Sequence, residues 1–190
     1  MPERGRELAA YAARLLAEVD QRVGRVPEAQ RPAVYYARGP KGLETGLQGS
    51  INVESLDRLG VRNVAGAGPK RTGLVPVSVE QVLAWNPEII VTIDPDFAAA
   101  VHTDPVWRDV RAVQRGRIHL APLRPFPWVD FPPSVNRLIG LRWLGRILYP
   151  AQFPEDLRQE ARAFYALFYH RPPDDRQLDA LLAGVPPLRP

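Results

Sequence analysis

Residues 75–95, VPVSVEQVLAWNPEIIVTIDP, constrain the fold of this chain more than any other stretch. Ser78 is suited to cap a helix, because its hydroxyl reaches an amide two or three residues on, and Gln81 completes an S-x-x-Q capping box. Val82 and Leu83 give that helix an apolar side, and Asn86-Pro87 stops it. Residues 88–93, EIIVTI, are rich in β-branched side chains and carry no charge after Glu88, which predicts a strand covered on both faces. A helix feeding such a strand implies an α/β layer. The strand ends at Asp94-Pro95-Asp96, and ligands of open α/β sheets lie off the carboxyl ends of their strands, so a binding surface is expected to start at Asp94.

The remaining segments alternate in the same way. Residues 6–24 put Leu8, Tyr11, Ala12, Leu15, Leu16, Val19 and Val23 on one helical face, with Gly24 and Pro27 ending the run. Such a stripe needs a body to lie on. Residues 33–37 predict a short strand, and Arg38-Gly39-Pro40-Lys41-Gly42 a loop, continued by an irregular 45–49. Ser50 is placed to cap a helix over 51–59, an extended piece is expected at 61–65, and Gly66 to Gly73 reads as a flexible connection. Asp104-Pro105 predicts a further helix start and 117–121 a third strand. From Ser134 the pattern is all helical, over 134–148, 154–169 and 174–182, and the tail 185–190 is expected to be disordered. The expectation is an α/β, doubly wound, Rossmann-like sheet over 29–184, with a long N-terminal helix within 1–28 and a helical C-terminal region.

Composition narrows the function. The net charge of +4 comes almost wholly from arginine, since Lys41 and Lys70 are the only lysines. Those arginines alternate with acids and apolar residues instead of clustering with aromatics, which argues against a nucleic-acid partner. With no cysteine there is no disulfide, thiolate nucleophile or Cys-based zinc site. The N-terminus leads into an amphipathic segment without the form of a secretory signal, and no apolar run approaches the ~20 residues of a membrane span.

Catalytic patterns are thin. His102, His119 and His170 lack metal-ligand spacing, no G-x-S-x-G elbow surrounds a serine, and the glycines of 39–49 match no nucleotide-binding loop. No cofactor and no enzymatic activity are expected. Arg38 and Lys41, on an exposed loop, suit an anionic ligand or simply a solvated turn. The proline-stiffened 122–128 presents Arg124, Phe126 and Trp128 at the sheet's carboxyl end, where Trp128 reads equally as a binding wall or a core plug. The stripe Phe164, Tyr165, Phe168, Tyr169 reads as core.

The V-S-V-E-Q-V-L run of 77–83 with N-P-E-I-I of 86–90, the segment from Trp107 through Ala112-Val113 to Arg115-Gly116-Arg117-Ile118, and Leu144 to Tyr149-Pro150 together resemble the periplasmic binding proteins of iron-siderophore, haem and cobalamin ABC transporters. The loop from Tyr36 to Thr45 with Gly49-Ser50-Ile51-Asn52 is similar to the branch that binds iron compounds. The resemblance covers nearly the whole chain, with 6–24 resembling the rigid helix that joins the family's two lobes.

What the resemblance implies is the C-terminal lobe of an extracytoplasmic solute-binding protein for an iron chelate or related metal compound. Its partners would be that chelate, the permease and an N-terminal lobe that has no counterpart before Met1. Tyr36, Arg38, Asp94, Arg124, Phe126 and Trp128 are then the expected ligand-binding residues, and Glu80, by its place in the S-x-E-Q motif, the permease-docking glutamate. Glu80 would equally serve as a first-turn acid facing the helix dipole. An unpartnered lobe face is expected to favour self-association. The alternative is a truncated or regulatory, enzyme-like α/β domain without a transport role.

Overall fold

The computed structural model describes residues 2–68 and 73–183. A long helix α1 (Pro2–Gly24) precedes β1 (Ala33–Ala37), β2 (Glu44–Gly46), α2 (Glu54–Arg58), β3 (Arg62–Asn63), β4 (Leu74–Pro76), α3 (Val79–Trp85) and β5 (Ile89–Thr92). Then come α4 (Pro95–Ala100), α5 (Arg111–Gln114), β6 (Ile118–Leu120), α6 (Asn136–Leu148), α7 (Leu157–Tyr169) and α8 (Asp175–Leu182). The four longer-range strands make one parallel sheet in the order β3-β1-β5-β6.

Parallel strands need their crossovers on the sheet faces, so both faces are covered, and alternate residues of each strand enter different cores. Val34 and Tyr36 of β1, with Ile89 and Val91 of β5, pack under α1, α2, α6 and α7. Tyr35, Ala37 and Ile90 point the other way, toward Val82 of α3, Phe97 of α4, Trp107 and Ala112 of α5. The doubly wound expectation is met.

The central stretch forms as its residues dictate. Ser78 Oγ accepts from the Gln81 amide at 3.3 Å and Gln81 Oε1 accepts from the Ser78 amide at 2.8 Å, while Asn86 in the left-handed region ends α3. All four residues of β5 are buried. The face of α1 predicted to be apolar does lie on the body, with Leu15, Val19 and Val23 buried, each contributing about 1.5–3 kcal/mol by leaving water. Around it, Arg142 bonds both oxygens of Glu18 at 2.9 and 2.6 Å, and Arg22 pairs with Glu155, so α1 is tied to α6 and to the segment before α7 by charge as well as packing.

Three local expectations are corrected. The stretch 45–49 is not wholly irregular: Glu44–Gly46 is a strand antiparallel to Leu74–Pro76. Three-residue strands containing Gly and Pro carry too little pattern to be read. Asp104 caps a turn, its carboxylate accepting from the Val106 amide at 2.9 Å, and the helix begins only at Arg111. Ser50 makes no side-chain cap, and a 3-10 turn over Ile51–Val53 precedes the short α2. The tail 185–190 and part of the 66–73 connection lie outside the described residues.

Candidate functional site

The chain passes from β1 to β3 on one side and then to β5 and β6 on the other, so strand order reverses between β1 and β5. The crevice outside the carboxyl ends at such a reversal is where doubly wound sheets bind ligands. Arg38 follows β1 and Asp94 follows β5, which puts both at that reversal.

Arg38 opens a tight hairpin. Its amide donates to the Glu44 carbonyl at 2.8 Å, and its carbonyl accepts from the Glu44 amide at 3.2 Å. Gly42, at φ +67°, lies so close to the Phe97 ring that no larger residue fits, and its carbonyl accepts from the Tyr35 hydroxyl at 2.7 Å. The loop is therefore held down on α4, and Arg38 leaves it from a fixed base.

The centre of the edge is a residue with no sequence expectation attached. Asp130 is 1% exposed, and its carboxylate accepts from the Tyr36 hydroxyl at 3.0 Å, from Asn52 Nδ2 at 3.1 and 3.2 Å, from Arg137 Nη2 at 3.5 Å and from Arg38 Nη1. Arg137 also reaches Glu54 and the Ile51 carbonyl, each at 2.7 Å. Burial and the adjacent carboxylate push the Tyr36 hydroxyl pKa well above its ordinary value, so it stays a proton donor. The one sequence signal was a lone acid inside the apolar, proline-rich Phe126–Pro133.

The expected site residues separate into groups. Tyr36 and Trp128 are fully buried. Trp128 donates its indole N–H to the Tyr165 hydroxyl at 3.1 Å, so the wall reading is corrected: it is a core plug. Asp94 caps α4, accepting from the Phe97 amide at 3.3 Å. Phe126 is 43% exposed, and Ile51, Phe131 and Val135 are exposed as well. Arg124 lines a separate open groove of about 1510 Å³ between the end of β6 and the α7–α8 connection, with His170, Arg171, Leu123 and Leu181. Arg38 and Arg124 are thus drawn to different neighbours. Glu80 is exposed at the start of α3, and its carboxyl is held below the usual range by the Ser78 side chain first and its own amide second. Among the described residues no group of acids and histidines is arranged to hold a metal.

Comparisons with known proteins bear out the fold. A family model described as periplasmic binding protein matches residues 2–124. The molybdate-binding protein MolA of Haemophilus influenzae is 33% identical over 172 residues, 88% of this chain and 47% of that protein. An ABC transporter solute binding protein from Sulfurospirillum deleyianum superposes with a TM-score of 0.85 at 33% identity, covering 95% of this chain and 56% of that one. The structure of Haemophilus influenzae MolA bound to molybdate gives a TM-score of 0.75 at 29% identity, covering 90% and 52%. The chain spans about half the length of these relatives. They are solute-binding proteins and not enzymes, as the thin catalytic patterns led one to expect. Binding proteins of ABC transporters work with a permease and hold small-molecule ligands, and members of the family are periplasmic. No helix among the described residues is long and apolar enough to cross a membrane. Matched over the greater part of its length, the chain belongs to the periplasmic binding protein family.

Proposed function

We propose that this chain is the C-terminal lobe, with its connecting helix over 1–28, of a solute-binding protein that delivers a small anionic metal compound to an ABC importer. The observation that carries the reading is 33% identity, across 88% of the chain, to a protein named for binding molybdate. Arg38, partly exposed at the strand-order reversal, supplies the cationic contact such a ligand needs. An oxyanion of the molybdate kind is the first ligand class. The second is an iron chelate, favoured by the resemblance of the 36–52 loop to the iron-compound branch. Glu80, exposed on the capped start of α3, is the proposed docking point for the permease. Titration of a protein carrying both lobes with molybdate and with a panel of ferric chelates tests the reading. Saturable binding of one class supports it, and binding of neither removes it.

A further inference from the structure

We infer that Asp130 is the positioning residue of this edge, holding Arg38 as a rigid side-on fork for an oxyanion; the inference rests on the solute-binding reading above. The Asp130 carboxylate is 1% exposed and meets four side-chain donors, from Tyr36, Arg38, Asn52 and Arg137. It cannot swing to follow one of them, because the others are fixed in turn. Tyr36 is buried within β1, and Arg137 is also bound to Glu54, to the Ile51 carbonyl and, at 3.1 Å, to the Val129 carbonyl. A buried carboxylate so placed is a firm anchor, since leaving any of its donors unpaired is costly.

Arg38 spends only Nη1 on that anchor. Among the described residues no acceptor meets its Nε or Nη2, and the side chain keeps 15% exposure. The guanidinium carbon lies 5.9 Å from the Tyr36 ring centroid, a second support. The free Nε–Nη2 edge carries two parallel N–H groups, the spacing that two oxygens of one oxyanion accept, whereas a lysine would offer a point charge. Fixing the arginine before the ligand arrives removes the ordering cost of binding.

A purely charge-neutralising Asp130 and a positioning Asp130 predict opposite signs. Loss of its charge would strengthen anion binding in the first case and weaken it in the second. The test uses the 190-residue chain, with sodium molybdate titrated against a chloride control of equal ionic strength and the arginine Nε–Hε signals followed by NMR. The Arg38 signal is expected to shift saturably, and its heteronuclear NOE without ligand to be that of a rigid group, unlike exposed Arg108. Asp130→Asn is expected to weaken binding about 5- to 10-fold, the scale set by ordering one long side chain. Arg38→Lys, which keeps the charge and the Asp130 contact, is expected to weaken it at least as much. A mobile Arg38 in the wild-type chain overturns the inference even if Asp130→Asn fails to fold. So does unchanged or tighter binding by either variant, or a molybdate response confined to other residues, which would leave the oxyanion reading standing. No response anywhere in the wild-type chain overturns the inference, while the solute-binding reading is decided by the two-lobe titration above.

Discussion

Gly140 of α6 faces the main-chain carbonyl of Trp128 so closely that a β-carbon at position 140 would overlap it. The obstacle is backbone, held by the Trp128 amide bond to the Pro122 carbonyl at 3.0 Å, so it cannot turn aside as a side chain could. Gly140→Ala is expected to cost about 3 kcal/mol or more, the upper end of overpacking penalties. In Gly145→Ala the new carbon would meet a Phe153 ring atom at 2.6 Å, and because a ring can shift, the cost is expected to be smaller. Urea denaturation of both variants gives the ranking.

For ligand contact, Arg38→Ala and Arg124→Ala in a protein carrying both lobes are each expected to weaken binding by about 1.5–3 kcal/mol, the range for hydrogen bonds to charged groups. The structure sharpens this test. Arg38 sits at the strand reversal and Arg124 in the groove beside α8. Calorimetry showing an effect for Arg38 alone would assign the ligand to the reversal and strip Arg124 of its proposed role.

Charge reversal at Glu80 addresses the permease. The side chain is exposed and touches no described ligand-edge residue, so Glu80→Lys is expected to leave affinity within about twofold while abolishing ligand-stimulated ATP hydrolysis by the reconstituted transporter. Stimulation at the wild-type level would refute the docking assignment.

His119 makes stability depend on pH. Buried on β6, with Arg117 adding repulsion, its imidazole is pushed down to about 4 from an ordinary 6.5. The unfolded chain takes up the proton first, so stability is unaffected above pH 6.5, falls as pH drops below it, and stops falling on this account near pH 4. The loss amounts to roughly 3 kcal/mol, at 1.36 kcal/mol per pH unit. His119→Gln should lose less over the same window. Parallel denaturation profiles for the two proteins between pH 7 and 4 would show that His119 is not the source.

Ile51, Phe126, Phe131 and Val135 are exposed apolar side chains on the 51–53 turn and the 126–135 segment, which carry Asn52 and Asp130. A single lobe covers about one side of a ligand, whereas a formed site encloses ~70–90% of it. The 190-residue chain is therefore expected to bind molybdate or a ferric chelate weakly and to self-associate through 38–46 and 124–131. Sedimentation and calorimetry check this, with sub-micromolar binding by a strict monomer as the contrary result.

What the sequence by itself determined was local. The Ser78–Gln81 capping box, the buried β5, the stripe of α1 and the helices after Ser134 all rest on short-range spacing, and each stands where that spacing put it. The tertiary structure decided what depends on distant partners. Strands β2 and β4 exist because 44–46 meets 74–76, not because either three-residue piece has strand character. Trp128 became core because Tyr165, 37 positions away, supplies an acceptor for its indole N–H, which no reading of 122–128 contains. Asp130 became the hub of this sheet edge because β1, the turn at 51–53 and the start of α6 converge on it, bringing Tyr36, Asn52 and Arg137 from 94, 78 and 7 positions away. A buried carboxylate survives only where such donors meet, and that meeting is a property of the folded chain.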